Sequence, residues 1–221
     1  FIIMGGSGCG KSTLLKAMIG LMQPIRGDVL YAGEPFWQAD EGRREALKRR
    51  FGTLFQSGAL WSSMTLAENV ALALEQYTDL SERQIRDVVA YKLMLVGLSG
   101  FEDYYPNELS GGMKKRAGLA RAMATDPEIL FFDEPSAGLD PITAQRLDEL
   151  IIELRASLDT TVVVVTHDLA SIFAIGTNAV FLDADSKTQL ATGHPRELRD
   201  THPNPRVREF LTRGQAEAVA S

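Results

Sequence analysis

The sequence is poor in cysteine and has no long hydrophobic run, and each shortage excludes a class of protein. Cys9 is the one cysteine among 221 residues, so the chain can form no internal disulfide and no zinc site built from several cysteines. Its apolar stretches, such as Val162 to Val165, are far shorter than the roughly 20 residues that a membrane-spanning helix needs. The chain is therefore predicted not to cross a bilayer by itself, and its cysteine content fits a reducing cytosol.

Basic residues are too few for a general nucleic-acid-binding protein. The chain has 23 Lys and Arg against 29 Asp and Glu, which gives a formal net charge of −6 and an isoelectric point near 5.2. Nucleic-acid-binding domains show a net basic surface, so no nucleic-acid partner is expected. The pattern of a secretory signal is also missing. The sequence starts at Phe1, inside a strand-like run, so we expect further chain upstream of it.

The composition is that of a globular protein, with 45% hydrophobic and 24% charged residues. Several short runs are apolar throughout, which indicates strands buried on both faces, as in a parallel sheet covered by helices. The pattern predicts strands over Phe1 to Met4, Phe51 to Phe55, Ile129 to Asp133, Val162 to Thr166 and Ala179 to Asp183. It predicts helices over Lys11 to Leu21, Leu66 to Gln76, Glu82 to Val96, Met113 to Ala124 and Ile142 to Leu158. The predicted fold class is α/β, with a mainly parallel sheet flanked by helices and a helical lobe inserted over about 65–125.

A glycine-rich segment links the first predicted strand to the first predicted helix. GGSGCGKST fits G-x-x-x-x-G-K-[ST] in the strand–loop–helix context of a phosphate-binding loop. Its glycines let backbone N–H groups converge on phosphate oxygens, and Lys11 would reach the β- and γ-phosphates while the Ser12 hydroxyl binds Mg²⁺. A plain glycine-rich turn is the alternative, which the flanking strand and helix disfavour. The candidate nucleotide-binding residues are Gly5, Gly6, Ser7, Gly8, Cys9, Gly10, Lys11, Ser12 and Thr13.

Two carboxylates follow a second apolar run. ILFFDE places Asp133 at the carboxyl end of a buried strand, where it would lie beside Mg²⁺, with Glu134 next to it. Glu134 could then activate the attacking water as a general base. Alone, such a pair would be an ordinary strand end, but together with the phosphate-binding loop it predicts a nucleotide-hydrolysing site.

The pentapeptide LSGGM, Leu109 to Met113, precedes the next predicted helix. In isolation it would be a helix N-cap with a glycine pair. Combined with the phosphate-binding loop and the downstream DE pair, it makes the sequence resemble the ATP-binding cassette (ABC) ATPase family, over essentially all of residues 1–193, with 194–221 as a C-terminal tail. The resemblance implies that Ser110, Gly111 and Gly112 contact ATP held by the phosphate-binding loop of a second copy, so that the active enzyme is a dimer.

Other family motifs match in order along the chain. The resemblance implies that Gln56 touches Mg²⁺ and the attacking water, that Asp140 in SAGLD belongs to a loop crossing the dimer interface, and that His167 contacts the γ-phosphate. Without the resemblance, His167 would be a histidine at the edge of the core. The family's adenine-stacking aromatic and antiparallel strands precede the phosphate-binding loop, outside this sequence.

A finer resemblance lies in LFQSGALWSSMTLAENVALAL, Leu54 to Leu74, and in Glu108 to Pro141. These segments are similar to the ABC branch that partners MCE-domain proteins in lipid transport, including Mla-type and toluene-tolerance systems. That branch implies an ATPase subunit on the cytoplasmic side of the inner membrane, with an integral-membrane permease and an MCE-domain lipid-binding protein as partners and phospholipid as cargo.

Other functions stay open as alternatives. The ATPase subunit could serve an importer or exporter of another solute, or the chain could be a soluble ABC ATPase acting on DNA or ribosomes. The short stretch between Gln56 and Ser110 leaves no room for the long insertions of DNA-repair members, and ribosome-associated members usually carry two cassettes. Small-molecule kinases with a phosphate-binding loop lack LSGGM.

The composition also indicates the roles of two surface segments, the apolar stretch after Gln56 and the cations at 114–116. Leu60, Trp61, Met64 and Leu66 are crowded after Gln56, which predicts a docking surface for the membrane partner, since Trp is enriched at binding hot spots. The alternative is that Trp61 tucks under the helical lobe. The cations at 114–116 fit either a solvated helix face or contacts that hold phosphate charge. The tail is expected to carry one short helix around Arg206 to Thr212.

Overall fold

The computed structural model describes the backbone of residues 1–218 and the side chains of residues 1–212. Within these, the main sheet has the strand order β4-β5-β6-β1-β7-β8. Its strands are β1 (Ile2–Gly5), β4 (Phe51–Leu54), β5 (Ile129–Asp133), β6 (Thr161–Val165), β7 (Ala179–Leu182) and β8 (Gln189–Gly193). A separate antiparallel ribbon is formed by β2 (Leu30–Tyr31) and β3 (Glu34–Pro35).

The sheet is mainly parallel, as the sequence predicts. Strands β4, β5, β6, β1 and β7 run parallel, and β8 pairs antiparallel with β7 at the edge. Ile2 and Met4 of β1 belong to one hydrophobic cluster, and Ile3 belongs to the cluster on the other face. Because both faces are covered, the inner strands are apolar at successive positions, with polar side chains only at strand ends, at Asp133 of β5 and Thr161 of β6.

Helices cover both faces of the sheet. They are α1 (Lys11–Met18), α2 (Glu41–Lys48), α3 (Leu66–Tyr77), α4 (Glu82–Leu95), α5 (Gly111–Ala122), α6 (Pro141–Leu158), α7 (Leu169–Ile175), α8 (Pro195–Thr201) and α9 (Pro205–Ala218). Helices α3, α4 and α5 all lie between β4 and β5, in the range given above for the helical lobe. None of the helices described in residues 1–218 has both the length and the apolar character needed to cross a membrane.

Several predicted boundaries are corrected. Strand β1 extends to Gly5, and β6 starts at Thr161 and stops before Thr166. Helix α5 begins at Gly111 instead of Met113 because the Ser110 side chain caps it. Helix α1 ends at Met18 instead of Leu21, and Gly20 just beyond it adopts a φ of +80°.

The tail also differs from the prediction of a single short helix. Helix α8 precedes α9, with Pro195 at its first position and the His194 ring accepting a hydrogen bond from the Arg196 N–H at 3.3 Å. Val207 and Leu211 of α9 are buried in the main hydrophobic cluster, so α9 is held by packing. Residues 219–221 of the predicted tail lie outside the described residues.

Candidate active site

The parallel strands bring the predicted site residues to one edge of the sheet. Gln56 lies in the turn after β4, Asp133 is the last residue of β5, and Glu134 follows it directly. His167 follows β6, and the glycine-rich loop follows β1. Since these four strands are parallel neighbours, their carboxyl ends meet at one edge, which is where α/β folds bind ligands.

The glycine-rich loop is shaped by backbone conformations that suit glycine. A Cβ at Gly5 would lie 2.2 Å from the Leu182 carbonyl oxygen, and Gly10, the N-cap of α1, has a φ of +97°. The Lys11 side chain is buried inside the loop, and its Nζ donates hydrogen bonds to the Gly5 carbonyl at 2.7 Å and the Gly6 carbonyl at 3.0 Å. The loop thus holds an ammonium group and the N-terminus of α1 together, a combination suited to phosphate.

Ser12 and Asp133 provide oxygen ligands beside this loop. The Ser12 hydroxyl donates a hydrogen bond to Asp133 Oδ1 at 3.4 Å. Burial raises the pKa of Asp133, with Glu134 adding to the rise and the Ser12 hydrogen bond, Lys16 and Lys11 opposing it. A half-buried carboxylate at the edge of a phosphate-binding loop fits a divalent cation.

The set of protein ligands is small. Among residues 1–212, no three His, Cys, Asp or Glu side chains form a cluster that could hold a metal by themselves. Mg²⁺ usually keeps several waters and takes one or two carboxylates together with substrate phosphates, so a Ser–Asp pair beside a phosphate-binding loop suits it.

Glu134 and His167 form a close pair. Glu134 has a φ of +48°, and its N–H donates a hydrogen bond to the Val165 carbonyl at 2.8 Å. Its Oε1 lies 2.7 Å from His167 Nδ1, and since a carboxylate only accepts, Nδ1 is the donor. The Glu134 side chain is 13% exposed and the His167 side chain 66%, so a mostly buried acid faces a solvent-accessible imidazole. Such a pair can hold and move a proton at the sheet edge.

The residue after His167 anchors this part of the site. The Asp168 side chain caps α7 by accepting a hydrogen bond from the Ala170 N–H at 3.0 Å. It also accepts hydrogen bonds from the Ser171 hydroxyl at 3.2 Å and the Ser136 hydroxyl at 3.5 Å. Asp168 has no role in the predictions from sequence, although an Asp before a helical run is a typical N-cap signal.

The LSGGM residues form a second group. Ser110 is exposed and caps α5, accepting from the Met113 N–H at 3.3 Å. A Cβ at Gly112 would lie 2.5 Å from Thr143 Cγ2, and Asp140 caps α6 through the Thr143 N–H at 3.0 Å. No hydrogen bond within residues 1–212 joins Ser110, Gly111 or Gly112 to the glycine-rich loop.

Two of the three cations at 114–116, Lys115 and Arg116, fit neither a solvated helix face nor a phosphate contact. Lys115 is 5% exposed and donates to the backbone carbonyls of Gln56 and Glu134. Arg116 donates to the carbonyls of Val96, at 3.1 Å, and Gly97, at 3.3 Å, at the end of α4. These two side chains therefore tie backbone segments together and are neither a solvated face nor phosphate ligands.

The loop after Gln56 leaves Trp61 exposed, which contradicts the alternative of burial under the lobe. The Trp61 side chain is 58% exposed and lines a groove of about 370 Å³ with Phe51, Phe55, Ala73 and Tyr77. Leu66 is fully buried, and Leu60 packs against the core. The side-chain amide of Asn69 holds the loop by hydrogen bonds to the backbone of Trp61 and Met64, a role that no local sequence pattern predicted.

Comparison with protein families identifies what this arrangement is similar to. A family model described as ABC transporter matches residues 1–137. The intermembrane phospholipid transport system ATP-binding protein MlaF of Escherichia coli K12 is 44% identical over 209 residues, which are 95% of this chain and 77% of that protein. The "Probable ribonucleotide transport ATP-binding protein mkl" of Mycobacterium leprae is 42% identical over 210 residues, which are 95% of this chain. This chain spans 60% of that mycobacterial protein's length.

Solved structures agree on the fold. The dimeric post-hydrolysis state of the ATP-binding cassette MJ0796 bound to ADP and Pi has a TM-score of 0.75 and 31% identity, covering 86% of this chain and 83% of its own. The cbiO1 protein from Clostridium perfringens, part of the ABC transporter complex cbiONQ, has a TM-score of 0.82 and 27% identity, covering 99% and 86%.

Proposed function

Since this chain belongs to the ABC transporter family, we propose that it binds ATP with Mg²⁺ and hydrolyses the ATP to energise a membrane transporter. The observation that carries this proposal is the Glu134–His167 pair lying beside the half-buried Asp133 and the phosphate-binding loop at one sheet edge. A carboxylate next to a phosphate site can serve as the general base for hydrolysis of a phosphoanhydride, and the neighbouring imidazole can contact the phosphate.

The phosphate-binding loop would hold the nucleotide. Its backbone N–H groups and the Lys11 ammonium, which now bonds loop carbonyls, would bind the β- and γ-phosphates. Ser12, Asp133 and Gln56 would hold Mg²⁺. Bound there, Mg²⁺ would neutralise charge developing on the phosphate oxygens.

Glu134 would act as the general base. Its carboxylate would accept the proton of the attacking water, and His167 would turn its exposed ring to the γ-phosphate. The hydrogen bond from His167 Nδ1 to Glu134 would keep the ring in one orientation, with its other edge towards the γ-phosphate. Asp168 holds the turn that carries His167.

We also propose that two copies together complete each site. Ser110, Gly111 and Gly112, with Asp140 nearby, would close over ATP bound by the other copy's loop. The exposure of Ser110, and the lack of any hydrogen bond in residues 1–212 between it and the loop of its own chain, support this arrangement. The similar cassette MJ0796 is described as dimeric.

The proposed cargo is phospholipid, moved through an integral-membrane permease with an MCE-domain protein as a further partner. The similarity to MlaF along most of both chains supports this cargo, and the similarity to mkl makes a ribonucleotide the second candidate. The subunit would sit at the cytoplasmic face of the inner membrane, with the Trp61 groove receiving a helix of the permease.

The cargo proposal is tested by reconstituting the full-length protein with the permease encoded beside it. ATP-dependent movement of labelled phospholipid between vesicles is expected, and it should be lost with Glu134→Gln. Movement of labelled ribonucleotide in place of phospholipid would transfer the proposal to the second candidate. A periplasmic solute-binding protein encoded beside the permease, with no MCE-domain protein, would contradict the phospholipid cargo.

A further inference from the structure

Lys115 is a buried cation whose contacts are unusual for its position on a helix. It lies on the second turn of α5, with 5% of its surface exposed. Burying an ammonium group is unfavourable unless hydrogen bonds compensate for the lost water. Burial lowers the pKa of Lys115, and the negative charges of Glu134 and Asp133 oppose this shift. The ammonium is thus held beside the acidic pair of the candidate active site.

The two acceptors of Lys115 belong to the site. Its Nζ donates to the backbone carbonyl of Gln56 and, at 3.3 Å, to that of Glu134. The same Glu134 carbonyl accepts a hydrogen bond from the Ala137 N–H at 3.1 Å. One side chain therefore links the turn after β4 to the residue after β5, and these two strands are parallel neighbours.

Helix α5 also packs directly on the loop that follows Gln56. A Cβ at Gly118 would lie 2.8 Å from the Gly58 carbonyl oxygen, and a Cβ at Gly58 would lie 3.1 Å from the Lys114 carbonyl oxygen. Backbone meets backbone here, so a shift of α5 relative to this loop would have to strain either the packing or the Lys115 hydrogen bonds.

We propose that Lys115 is a positioning residue, which fixes the main chain of Gln56 against that of Glu134 and couples the helical lobe to the hydrolysis step. The inference rests on the proposed function. Gln56 and Glu134 would together orient the water and the metal, and a misplacement of about 1 Å in such geometry can reduce a rate by about 10²-fold. Because α5 begins at Ser110, the same helix that would meet the second copy's ATP also carries the side chain that aligns its own chain's catalytic base.

The test compares variants in the full-length protein assembled with its permease. Lys115→Met removes the donors while keeping an unbranched chain, and Lys115→Gln restores a neutral donor. For Lys115→Met we expect kcat to fall by about tenfold or more with KM for ATP within about twofold, and Lys115→Gln should recover part of the loss. Arg116→Met is the matched control, since it removes a neighbouring cation that also donates to backbone carbonyls, but those of Val96 and Gly97. It should lower Tm without lowering kcat.

The outcomes separate this inference from the proposed function. A Lys115→Met complex with a kcat within twofold of the unmodified complex overturns the positioning role, as does an equal loss of kcat in Arg116→Met. If Lys115→Met does not fold, Lys115→Leu, which likewise has no donor, decides in its place: a kcat reduced at least threefold at unchanged KM supports the role, and an unchanged kcat overturns it. If instead the unmodified complex hydrolyses no ATP, or Glu134→Gln is fully active, the proposed function itself fails.

Discussion

Lys11 and Glu134 lie at the same edge of the sheet but are proposed to act at different stages of one reaction. Lys11→Ala should abolish nucleotide binding, because no ammonium then meets the phosphate charge inside the loop. Glu134→Gln should keep binding while turnover falls by about 10²–10⁴-fold, the usual contribution of a general base, and two chains should remain held around ATP. Nucleotide binding by fluorescence, ATPase rate and size-exclusion chromatography with and without Mg-ATP measure the three effects. A Glu134→Gln protein that stays monomeric at high ATP, or hydrolyses it at the normal rate, would contradict the assignment.

Asp148 is a buried acid near the site whose protonation affects stability. Only 4% of it is exposed, its Oδ2 accepts from the Ser171 hydroxyl at 2.8 Å, and its Oδ1 has no hydrogen-bond partner. Burial raises the pKa of Asp148 to about 6; the Ser171 hydrogen bond opposes the rise, and the charges of Asp168 and Glu149 add to it. The folded protein therefore holds this proton more tightly than the unfolded chain does. Its contribution to stability is present below about pH 4 and is lost as the pH rises through about 6.

Asp148→Asn should consequently stabilise the protein at pH 8, by about 1–3 kcal/mol, because no charge then has to be buried. The gain should shrink steadily as the pH falls from 7 towards 4.5. Urea unfolding across this range measures it, with Glu153→Gln as the control, since Glu153 is an exposed acid on the same helix. A gain that is independent of pH would show that packing, and not ionisation, is responsible.

Residues whose role depends on the local sequence pattern were identified, whereas those whose hydrogen-bond partners lie far along the chain were not. Asp133 was found because it ends an apolar run and His167 through the family resemblance, and the parallel sheet then brings the ends of their strands together. Lys115 was misjudged because its acceptors are carbonyls 59 and 19 residues away, which no local spacing can reveal. The roles of the site residues in binding and hydrolysis remain predictions.

At the scale of elements, the inner strands could be predicted from the sequence because they are buried on both faces and therefore apolar. β5 was predicted to the residue because all its inner positions are apolar and buried. β8 was missed because it is an antiparallel edge strand with mostly exposed or half-buried side chains. α7 and α8 were missed because seven residues are too few to show a helical period.

In the loop between β4 and α3, the Trp61 side chain is exposed while its backbone is held by the buried Asn69. Trp61→Ala should leave Tm and ATP binding nearly unchanged while reducing transport and assembly with the permease, because the indole is exposed in the groove. Transport assays and co-purification with the permease measure this. If Trp61→Ala instead lowers Tm by several degrees and the complex still assembles, the side chain is structural.

Asn69→Ala is the matched variant for the same loop. Asn69 is fully buried; its Nδ2 donates to the carbonyls of Trp61, Met64 and Thr65, and its Oδ1 accepts from the Trp61 N–H at 2.8 Å. Its loss should lower the free energy of unfolding by about 2–4 kcal/mol, since several buried backbone groups would lose their partner. A stability close to that of the unmodified protein would mean that water replaces these hydrogen bonds.

At the scale of the whole molecule, the phosphate-binding loop and the LSGGM residues form two groups, which in a dimer could belong to the same ATP site or to different ones. The phosphate-binding loop and Glu134 lie at one edge of the sheet, and Ser110 lies at the start of α5 without a hydrogen bond to that loop in residues 1–212. In a two-fold symmetric dimer, each ATP would be held by the loop of one copy and the LSGGM residues of the other. Substitutions in the two groups should then complement each other between copies.

Mixing two inactive proteins tests this arrangement. Lys11→Ala disables the loop, and Ser110→Asp keeps the helix cap, since Asp caps as well as Ser, but sets a negative charge against the γ-phosphate. Each variant alone should be inactive, whereas an equal mixture should recover up to about a quarter of normal activity, because half of the dimers are mixed and each has one complete site. Mixing Lys11→Ala with Glu134→Gln should recover nothing, since both substitutions disable the half of the site that a single copy supplies. No recovery in the first mixture would mean that each chain builds its site alone, whereas recovery in the control would mean that Lys11 and Glu134 of one site come from different copies.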